Sequence, residues 1–594
     1  MTGSFRFQQG SRAAALANGE RLLSEKPAVA AMQARALLDA DPQDRAALLL
    51  LVRAFDRQGC KDEAIAARNE VMRLTRQLPH VDGAFAALNS GHLDEALKLA
   101  ESHLAREPDE PLGLLVAGEA SVRLGLRRKG GVFLDRAIAA APGLIPAHLS
   151  RARLHYEGFN PAAALAALAP LIRSGSLPIE AKRFHAGLLG EAGDYIGAER
   201  AFADIAASQP QEGTAQLDYG HALRTLGKAE EAKAAYRRAV DAARPNHAAW
   251  WGIASLGGAL LDDTDIDCIA SLGAAAPDPD LAVALHFALA KAIEARGDLG
   301  RAFVHYKKGN ELRRNAMEWD ASAFSARQKG IARECDAKFF KDRAVWGDPD
   351  PSPIFLVGMA RSGSTLLEQA LAGHAEIEGC GEMPAIAAIL HEEAEDRGLN
   401  AESNIVAFLT SLSAEDCARL GGEYLARVAV RRRLGKRYFV DKLPHNWAEL
   451  AFIKLILPKS TIIDLRRDPR DCCISNFAML FAPGHPSSYG IGDWAAYYGT
   501  YRKFLRSLPV PVISLRYEGL VQDLEGELRR VLDAIGLPWD RACLNFADNV
   551  RAVATASTEQ VRRPLNRSGL GTWQRFKPWL GGDLDILGSF PRQN

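Results

Sequence analysis

The segment 353–371 reads PIFLVGMARSGSTLLEQAL. Its apolar run Ile354–Val357 is typical of a strand that is buried within a parallel sheet. The loop Gly358–Ser364 follows, and a helix is predicted to begin near Thr365. Glycines let a backbone approach an anion closely, and the N-terminus of a helix presents free N–H groups. The segment therefore predicts an anion-binding loop between a buried strand and a helix.

The glycines of this loop, Gly358 and Gly363, have the spacing of a P-loop. However, Ser364 stands where the nucleotide-binding loop of an NTPase has its lysine, and Arg361 supplies the positive charge instead. A P-loop nucleotide kinase is therefore disfavoured, although it stays open as an alternative.

Further strands follow the loop, at 438–440, 461–466 and 510–517, and helical stretches separate them. This alternation predicts a parallel α/β sheet, in which ligands bind beyond the carboxyl ends of the strands. The proline-rich segment 346–353, WGDPDPSP, is predicted to be the linker that precedes this domain. We assign the α/β domain to residues 354–594.

The first part of the chain, residues 1–345, contains an internal repeat in which a glycine turn is followed by a small residue. The small residue recurs every 34 residues, at positions 96, 130, 164, 198 and 232, and again at 302. The turn positions are Gly59, Gly91, Gly125, Phe159, Gly193, Gly227 and Gly297, and prolines close several units at Pro108, Pro142, Pro210 and Pro245. This period resembles that of tetratricopeptide (TPR) repeats, which implies helical hairpins stacked into a superhelix.

The bulk composition excludes some classes of protein. The 73 basic and 73 acidic residues balance, which argues against a nucleic-acid-binding protein. The start of the chain has no signal-peptide pattern, and the longest apolar run, 248–261, is shorter than the roughly 20 residues that span a membrane. We therefore expect a cytoplasmic protein, whose eight scattered cysteines are reduced thiols.

A second element, a strand that leads into a helix, is predicted in TIIDLRRDPRDCCISNFAM, residues 461–479. Asp468 is a suitable N-cap and Pro469 suits the first turn of the helix that follows the strand. Arg467 lies at the strand end, and Ser475 lies eight residues later on the predicted helix.

The two elements together resemble those of the sulfotransferases that use 3′-phosphoadenosine-5′-phosphosulfate (PAPS), above all tyrosylprotein sulfotransferases and bacterial sulfotransferases fused to TPR arrays. In that family the GMARSGSTLL loop binds the 5′-phosphosulfate, and the second element binds the 3′-phosphate. The resemblance implies PAPS as cosubstrate, 3′-phosphoadenosine 5′-phosphate as product and no metal. It also implies nucleotide-binding roles for Arg361, Ser362, Gly363, Ser364, Thr365, Arg467 and Ser475. Ala360 departs from the family, which usually has proline there, and we expect this to alter loop stiffness more than chemistry.

Two weaker similarities concern the nucleotide. Tyr517 follows the strand at 510–517 and resembles a nucleotide contact of the family. The segment 555–576 resembles the one that closes over PAPS, which implies contacts from Ser557, Gln560, Arg562, Thr572 and Trp573.

The same resemblance implies the catalytic groups. Glu382 aligns with the catalytic base, and Lys442 with a lysine near the bridging oxygen of the sulfate ester, where Arg361 assists. His445 is the competing base, because some sulfotransferases use histidine.

We therefore predict a sulfotransferase that acts on a hydroxyl acceptor. Resemblance to tyrosylprotein sulfotransferases implies a peptide tyrosine; a saccharide, a lipid or a small phenol stays open. The TPR groove is expected to bind the acceptor, another protein or a second copy of the chain in a homodimer. The alternative from another class is a TPR scaffold whose transferase domain is inactive.

Overall fold

The computed structural model describes residues 12–174, 177–276, 278–482, 485–546, 551–555, 558–561, 565–582 and 586–587. The chain divides into two compact units. The first consists of Met1–Tyr156 and Ala163–Leu177, and the second consists of Glu157–Ala162 and Pro178–Asn594.

The first unit is built from helices that are joined by short turns. Their bounds are α1 Arg12–Leu22, α2 Pro27–Ala40, α3 Arg45–Gln58, α4 Lys61–Arg76, α5 Pro79–Asn89, α6 Leu93–Leu104, α7 Pro111–Arg123, α8 Arg127–Ala140, α9 Ile145–Glu157 and α10 Pro161–Ser174.

The second unit begins with helices of the same kind. They are α11 Ile179–Glu191, α12 Tyr195–Ser208, α13 Gly213–Thr225, α14 Ala229–Asp241, α15 Ala249–Leu256, α16 Asp263–Ala275, α17 Pro279–Ala295, α18 Leu299–Asn315, α19 Ala321–Glu334 and α20 Ala337–Asp342.

The turns of the repeats confirm the predicted pattern. Every predicted turn glycine has a positive φ, between 73° and 85°, at Gly59, Gly91, Gly125, Gly193, Gly227 and Gly297. A left-handed residue at this point ends the first helix and lets the second fold back on it. Phe159, which stands at the turn position in place of glycine, takes the same conformation with φ 46°, and its side chain is buried.

The small residue of each repeat is buried where the two helices of a hairpin meet, as predicted. Ala96, Ala164 and Ala232 are all fully inaccessible. At Gly130 the helices are closer still, because an added Cβ would lie 2.6 Å from Val122 Cγ2 and 2.8 Å from Gly118 O. This position therefore requires a small residue, because the two helices of the hairpin pack closely there.

The rest of the second unit contains a five-stranded parallel sheet of order β2-β3-β1-β4-β5. The strands are β1 Pro353–Gly358, β2 Ile377–Gly379, β3 Tyr438–Asp441, β4 Thr461–Arg466 and β5 Ile513–Arg516. The helices around it are α21 Ser364–Ala372, α22 Ala385–Asp396, α23 Ile405–Ser411, α24 Ala414–Val428, α25 Leu450–Ile456, α26 Pro469–Phe477, α27 Ile491–Ser507, α28 Tyr517–Gln522, α29 Leu524–Ile535, α30 Thr558–Val561 and α31 Lys577–Leu580.

Strand β1 is central and wholly buried, which confirms the prediction made from its apolar run. Ile354 and Leu356 face one hydrophobic cluster, while Phe355 and Val357 face another. The predicted parallel α/β fold is thus confirmed. Strand β2 was not predicted, because its three residues are too few to give a recognisable pattern.

The ends of three strands meet at one edge of the sheet. Gly358 of β1 is in register with Leu465 of β4, and Arg466 of β4 with Arg516 of β5. The residues that directly follow these ends therefore converge, and the candidate site lies there.

All eight cysteines are free thiols, six of them buried. In the part of the chain that the structure describes, none of the helices combines the length and the apolar character that crossing a membrane requires.

Candidate active site

The loop between β1 and α21 is held in an unusual backbone conformation. Gly363, the residue before α21, has φ +100°, and an added Cβ would lie 2.4 Å from the Tyr517 ring. Arg361 has φ +66°, which is uncommon for a residue other than glycine and costs roughly 1 kcal/mol. Such conformations persist when the surroundings enforce them and are frequent at ligand-binding loops.

Helix α26 supplies the contacts that hold this loop. The Ala360 carbonyl accepts hydrogen bonds from Asn476 Nδ2 at 2.8 Å and from Cys472 Sγ at 3.1 Å. Arg467 Nη1 donates to the Arg361 carbonyl at 2.9 Å. The loop is thus fixed by side chains from the second predicted element, at the position where the family usually has proline.

The second element forms as predicted from its caps. Asp468 accepts a hydrogen bond from Arg470 N at 2.9 Å, and Pro469 occupies the first turn of α26. Arg467 emerges between β4 and this helix and also donates to the Gly569 carbonyl. Its Nε is buried and has no hydrogen-bond partner among the described residues. One donor of this guanidinium is therefore available to a ligand.

Arg361 and Ser475 come together across the site. Arg361 Nε donates to Ser475 Oγ at 3.2 Å. Burial, together with the nearby Arg467 guanidinium, lowers the pKa of Arg361 to about 10, so the side chain stays cationic near neutral pH. Two like charges held close together in a buried place favour the binding of an anion.

Tyr517 forms one wall of the same region. Its ring lies under the Arg467 guanidinium, whose central carbon is 4.8 Å from the ring centroid. Burial raises the pKa of its phenol, and Arg467 opposes that rise. The phenol is therefore protonated near neutral pH, and the ring packs against both Arg467 and Gly363.

These elements surround a cavity of about 370 Å³. Seven residues that the sequence analysis singled out line it, namely Arg361, Gly363, Thr365, Arg467, Ser475, Tyr517 and Thr572. Ser362 and Ser364 are buried beside it in the loop, and Ser362 Oγ has no partner among the described residues. A cavity with several guanidinium groups and hydroxyls is suited to a ligand that carries phosphate or sulfate groups.

The C-terminal segment 571–573 is held at this cavity by hydrogen bonds to Asp471 of α26. The Asp471 carboxylate accepts from Gly571 N at 2.7 Å, from Thr572 Oγ1 at 3.0 Å and from Trp573 N at 3.0 Å. The Trp573 ring packs on Arg470, 4.3 Å from its guanidinium carbon, rather than on the cavity wall. Asp471 was not singled out from the sequence, although its position on the first turn of α26 is where an acidic anchor for N–H groups could be sought.

Three of the predicted contacts are not described. Ser557 and Arg562 lie outside the described residues, and so does the side chain of Gln560.

Glu382 and Lys442 form a separate pair. Lys442 Nζ lies 2.5 Å from Glu382 Oε1; the lysine side chain is 1% exposed, and the glutamate side chain is 39% exposed. Neither belongs to the described residues that line the 370 Å³ cavity. The carboxylate is thus accessible while its partner is buried behind it.

The backbone beside Glu382 is pinned from two directions. Gly381 N donates to Glu368 Oε1 at 2.8 Å, and Lys442 N donates to the Gly381 carbonyl at 2.9 Å. Burial alone raises the pKa of Glu368, but Arg551 and Lys442 outweigh it and the net pKa is lowered. Glu368 is therefore an ionised anchor for this segment.

Arg431 joins the same segment to helices of the repeats. Its Nη1 donates to the Cys380 carbonyl at 3.3 Å and to Tyr195 OH at 2.9 Å, and its Nη2 lies 3.1 Å from Glu191 Oε2. Nothing in the local sequence indicates this role, because Tyr195 and Glu191 lie more than 200 residues before Arg431.

His445, the competing base, is enclosed. Its Nδ1 is 2.5 Å from Tyr497 OH and its Nε2 is 2.7 Å from His485 Nδ1. Burial, and next the adjacent His485, lower the pKa of His445 to about 3, so the ring is neutral. Both ring nitrogens are thus occupied by neighbours within the protein.

Three charged residues that line the cavity were not predicted from the sequence: Lys291, Glu294 and Arg575. Lys291 and Glu294 lie on α17, the helix that precedes the repeat turn at Gly297. Only the folded chain brings them beside Arg361. Among the described residues, no group of three or more histidine, cysteine, aspartate or glutamate side chains could hold a metal ion.

Residues 353–541 match the model of the sulfotransferase family. The chain is 27% identical over 329 residues to an uncharacterised protein of Aquifex aeolicus. The aligned region covers 51% of this chain and 41% of that protein. It is 22% identical over 231 residues to protein-tyrosine sulfotransferase 1 of Danio rerio, covering 37% of this chain and 65% of that one. The chain thus spans less than two thirds of the length of each of these two relatives.

Two solved structures are also similar at low identity. The sulfotransferase domain of the Synechococcus PCC 7002 olefin synthase has a TM-score of 0.29 and 19% identity, covering 42% of this chain and 97% of that one. A tetratricopeptide repeat protein of Parabacteroides merdae has a TM-score of 0.28 and 17% identity, covering 46% and 93%. The part of the chain that matches the sulfotransferase family contains strands β1 to β5 and follows the TPR-like helical repeats.

Proposed function

We propose that this protein transfers a sulfuryl group from PAPS to a hydroxyl group, leaving 3′-phosphoadenosine 5′-phosphate. The observation that carries the proposal is the cavity where Arg361, Arg467, Ser475 and Tyr517 meet at the ends of the parallel strands. The match of residues 353–541 to the sulfotransferase family agrees with it.

The residues of the cavity fit the nucleotide. Arg467 has a buried Nε without a partner among the described residues, and with Ser475 it would bind the 3′-phosphate. Ser362 Oγ is likewise buried without a described partner, and it would bind the 5′-phosphosulfate together with the free N–H groups at the start of α21. Buried donors of this kind are costly unless a ligand satisfies them.

In the proposed reaction the acceptor oxygen forms a bond to sulfur while the bond from sulfur to the bridging phosphate oxygen breaks. Glu382 would accept the proton of the acceptor hydroxyl, which its exposed carboxylate allows. Lys442 and Arg361 would neutralise the charge that grows on the leaving oxygen. In the present structure Lys442 pairs with Glu382 instead, so this role requires the ammonium to shift toward the nucleotide.

We further propose that the acceptor is a tyrosine in a peptide or protein. The similarity to a protein-tyrosine sulfotransferase supports this choice. The helical repeats would bind the acceptor or a partner protein, since stacked hairpins form extended grooves. Incubation with PAPS and, in parallel, tyrosine peptides, saccharides and phenols would test it; sulfation of saccharides alone, detected by mass spectrometry, would contradict the peptide acceptor.

The nucleotide is tested by calorimetric titration of 3′-phosphoadenosine 5′-phosphate, with ADP as the control ligand. We expect micromolar binding that requires the 3′-phosphate and weakens by about 1.5–3 kcal/mol in Arg467→Ala. Arg437→Ala, at a side chain 64% exposed and outside the cavity lining, should bind like the wild type. Equal binding of ADP, or no binding at all, would refute the PAPS proposal and favour a kinase or an inactive scaffold.

A further inference from the structure

Lys291 lies on α17, the first helix of the repeat whose turn is Gly297, about 60 residues before the sulfotransferase-family domain begins. Its side chain nevertheless lines the same cavity as Arg361 and Arg467. A repeat helix thus contributes a cation to the wall of the candidate nucleotide site.

The ammonium of Lys291 is only loosely paired. Its Nζ lies 3.7 Å from Glu294 Oε2, beyond hydrogen-bond distance. Glu294 is already engaged, because it accepts from Tyr306 OH at 2.7 Å and from Arg575 Nη1 at 3.2 Å. The Glu294 carboxylate therefore interacts with Tyr306, Arg575 and Lys291, and its distance to Lys291 is the longest of the three.

Apart from Glu294, the charged groups near Lys291 are the cations Arg361 and Arg575, and its Nζ also lies 5.7 Å from the centroid of the Tyr306 ring. Burial lowers the pKa of its amine, Glu294 opposes that change, and Arg361 lowers the pKa further. Among the described residues that line the cavity, four are cations and one is a carboxylate. Without a ligand these charges repel one another inside a partly buried space, and a phosphate group would relieve that repulsion.

We propose that Lys291 binds a phosphate group of the nucleotide, so that the repeat array forms part of the nucleotide site. This inference rests on the proposed function. It gives the repeats a role in addition to any binding of acceptor or partner, and it means that the sulfotransferase-family domain by itself has an incomplete site.

The first test is calorimetric titration of 3′-phosphoadenosine 5′-phosphate into the full chain. Lys291→Gln is expected to weaken binding by about 10- to 100-fold, as loss of a hydrogen bond to a charged group does. Lys291→Arg should recover most of the affinity because it keeps the charge. Lys307→Gln, at an exposed lysine on the neighbouring helix α18, is the matched control and should bind like the wild type.

The second test uses the wild-type protein and does not depend on the folding of a variant. Lysines are acetylated with and without 3′-phosphoadenosine 5′-phosphate, and the modified residues are quantified by mass spectrometry. The Lys291 side chain is 27% exposed, so it should react in the free protein and be protected in the complex. Lys307 should react equally in both.

The outcomes separate the two proposals. If the wild type binds the nucleotide but Lys291→Gln binds equally tightly, or Lys291 is not protected, the role of Lys291 is refuted while the proposed function stands. If the wild type does not bind the nucleotide, the proposed function fails and this inference fails with it. Weakened binding by Lys291→Gln, with rescue by arginine and protection by ligand, supports the inference.

Discussion

Asp471 is expected to control whether the C-terminal segment closes the cavity. Its side chain is buried, and its two oxygens together accept from Gly571 N, Thr572 Oγ1 and Trp573 N. Asp471→Asn removes the charge and replaces one oxygen with an N–H₂ group. The N–H₂ group cannot accept a hydrogen bond from the N–H or O–H donor that it faces, so at least one hydrogen bond is lost.

The size of this effect follows from the contacts. A hydrogen bond to a charged group contributes about 1.5–3 kcal/mol, and a buried donor left without a partner adds to the loss. We therefore expect local opening of residues 571–573 to become easier by about 2–4 kcal/mol. That corresponds to roughly 30- to 1,000-fold faster amide exchange in this segment.

Hydrogen–deuterium exchange measured by mass spectrometry would test this expectation. Peptides that contain Gly571 and Trp573 should exchange faster in Asp471→Asn, while those from α29 stay unchanged. Asp523→Asn is a suitable control, because Asp523 caps α29 by accepting from Gly526 N at 2.9 Å and, within the described part of the chain, forms no hydrogen bond with residues 571–573. Unchanged exchange of residues 571–573 in folded Asp471→Asn protein would refute the reasoning.

Two further predictions concern buried groups of the second unit. Burial raises the pKa of Asp441 from 3.8 to about 8, so the folded protein keeps a proton that the unfolded chain loses, and stability should fall as pH rises through this range. Asp441→Asn should weaken this dependence of stability on pH, which denaturant unfolding at several pH values would measure. The same dependence on pH in the variant and the wild type would contradict the prediction. Arg431→Gln should lower kcat about tenfold with little change in the KM for PAPS, because Arg431 positions the Cys380 carbonyl near Glu382. Steady-state kinetics measures this, and a change confined to the KM for PAPS would count against a positioning role.

The elements of this protein could be predicted because their signals are local. The spacing of turn glycines and small residues predicted the repeats, and the glycines at Gly59 through Gly297 do adopt the left-handed conformation. The apolar run before Gly358 predicted a buried central strand, and Asp468 with Pro469 predicted the start of α26. The short strand β2 was missed, because three residues carry too little periodicity.

The site could be predicted only in part. The loop and the second element were recognisable, since each is contiguous in sequence and follows a strand. The roles of Lys291, Arg431 and Asp471 were not found. Arg431 contacts Glu191, which is 240 residues away, Asp471 contacts Gly571, which is 100 residues away, and Lys291 lines a cavity formed by distant segments.

The sequence by itself thus determined which segments become helices, strands and anion-binding turns, since backbone preference and hydrophobic period act over a few residues. Only the tertiary structure decided which side chains share a space. It brought Lys291 of a repeat helix beside Arg361 and left Lys442 paired with Glu382. Long-range packing sets these contacts, and no local pattern encodes the charge that one segment presents to another.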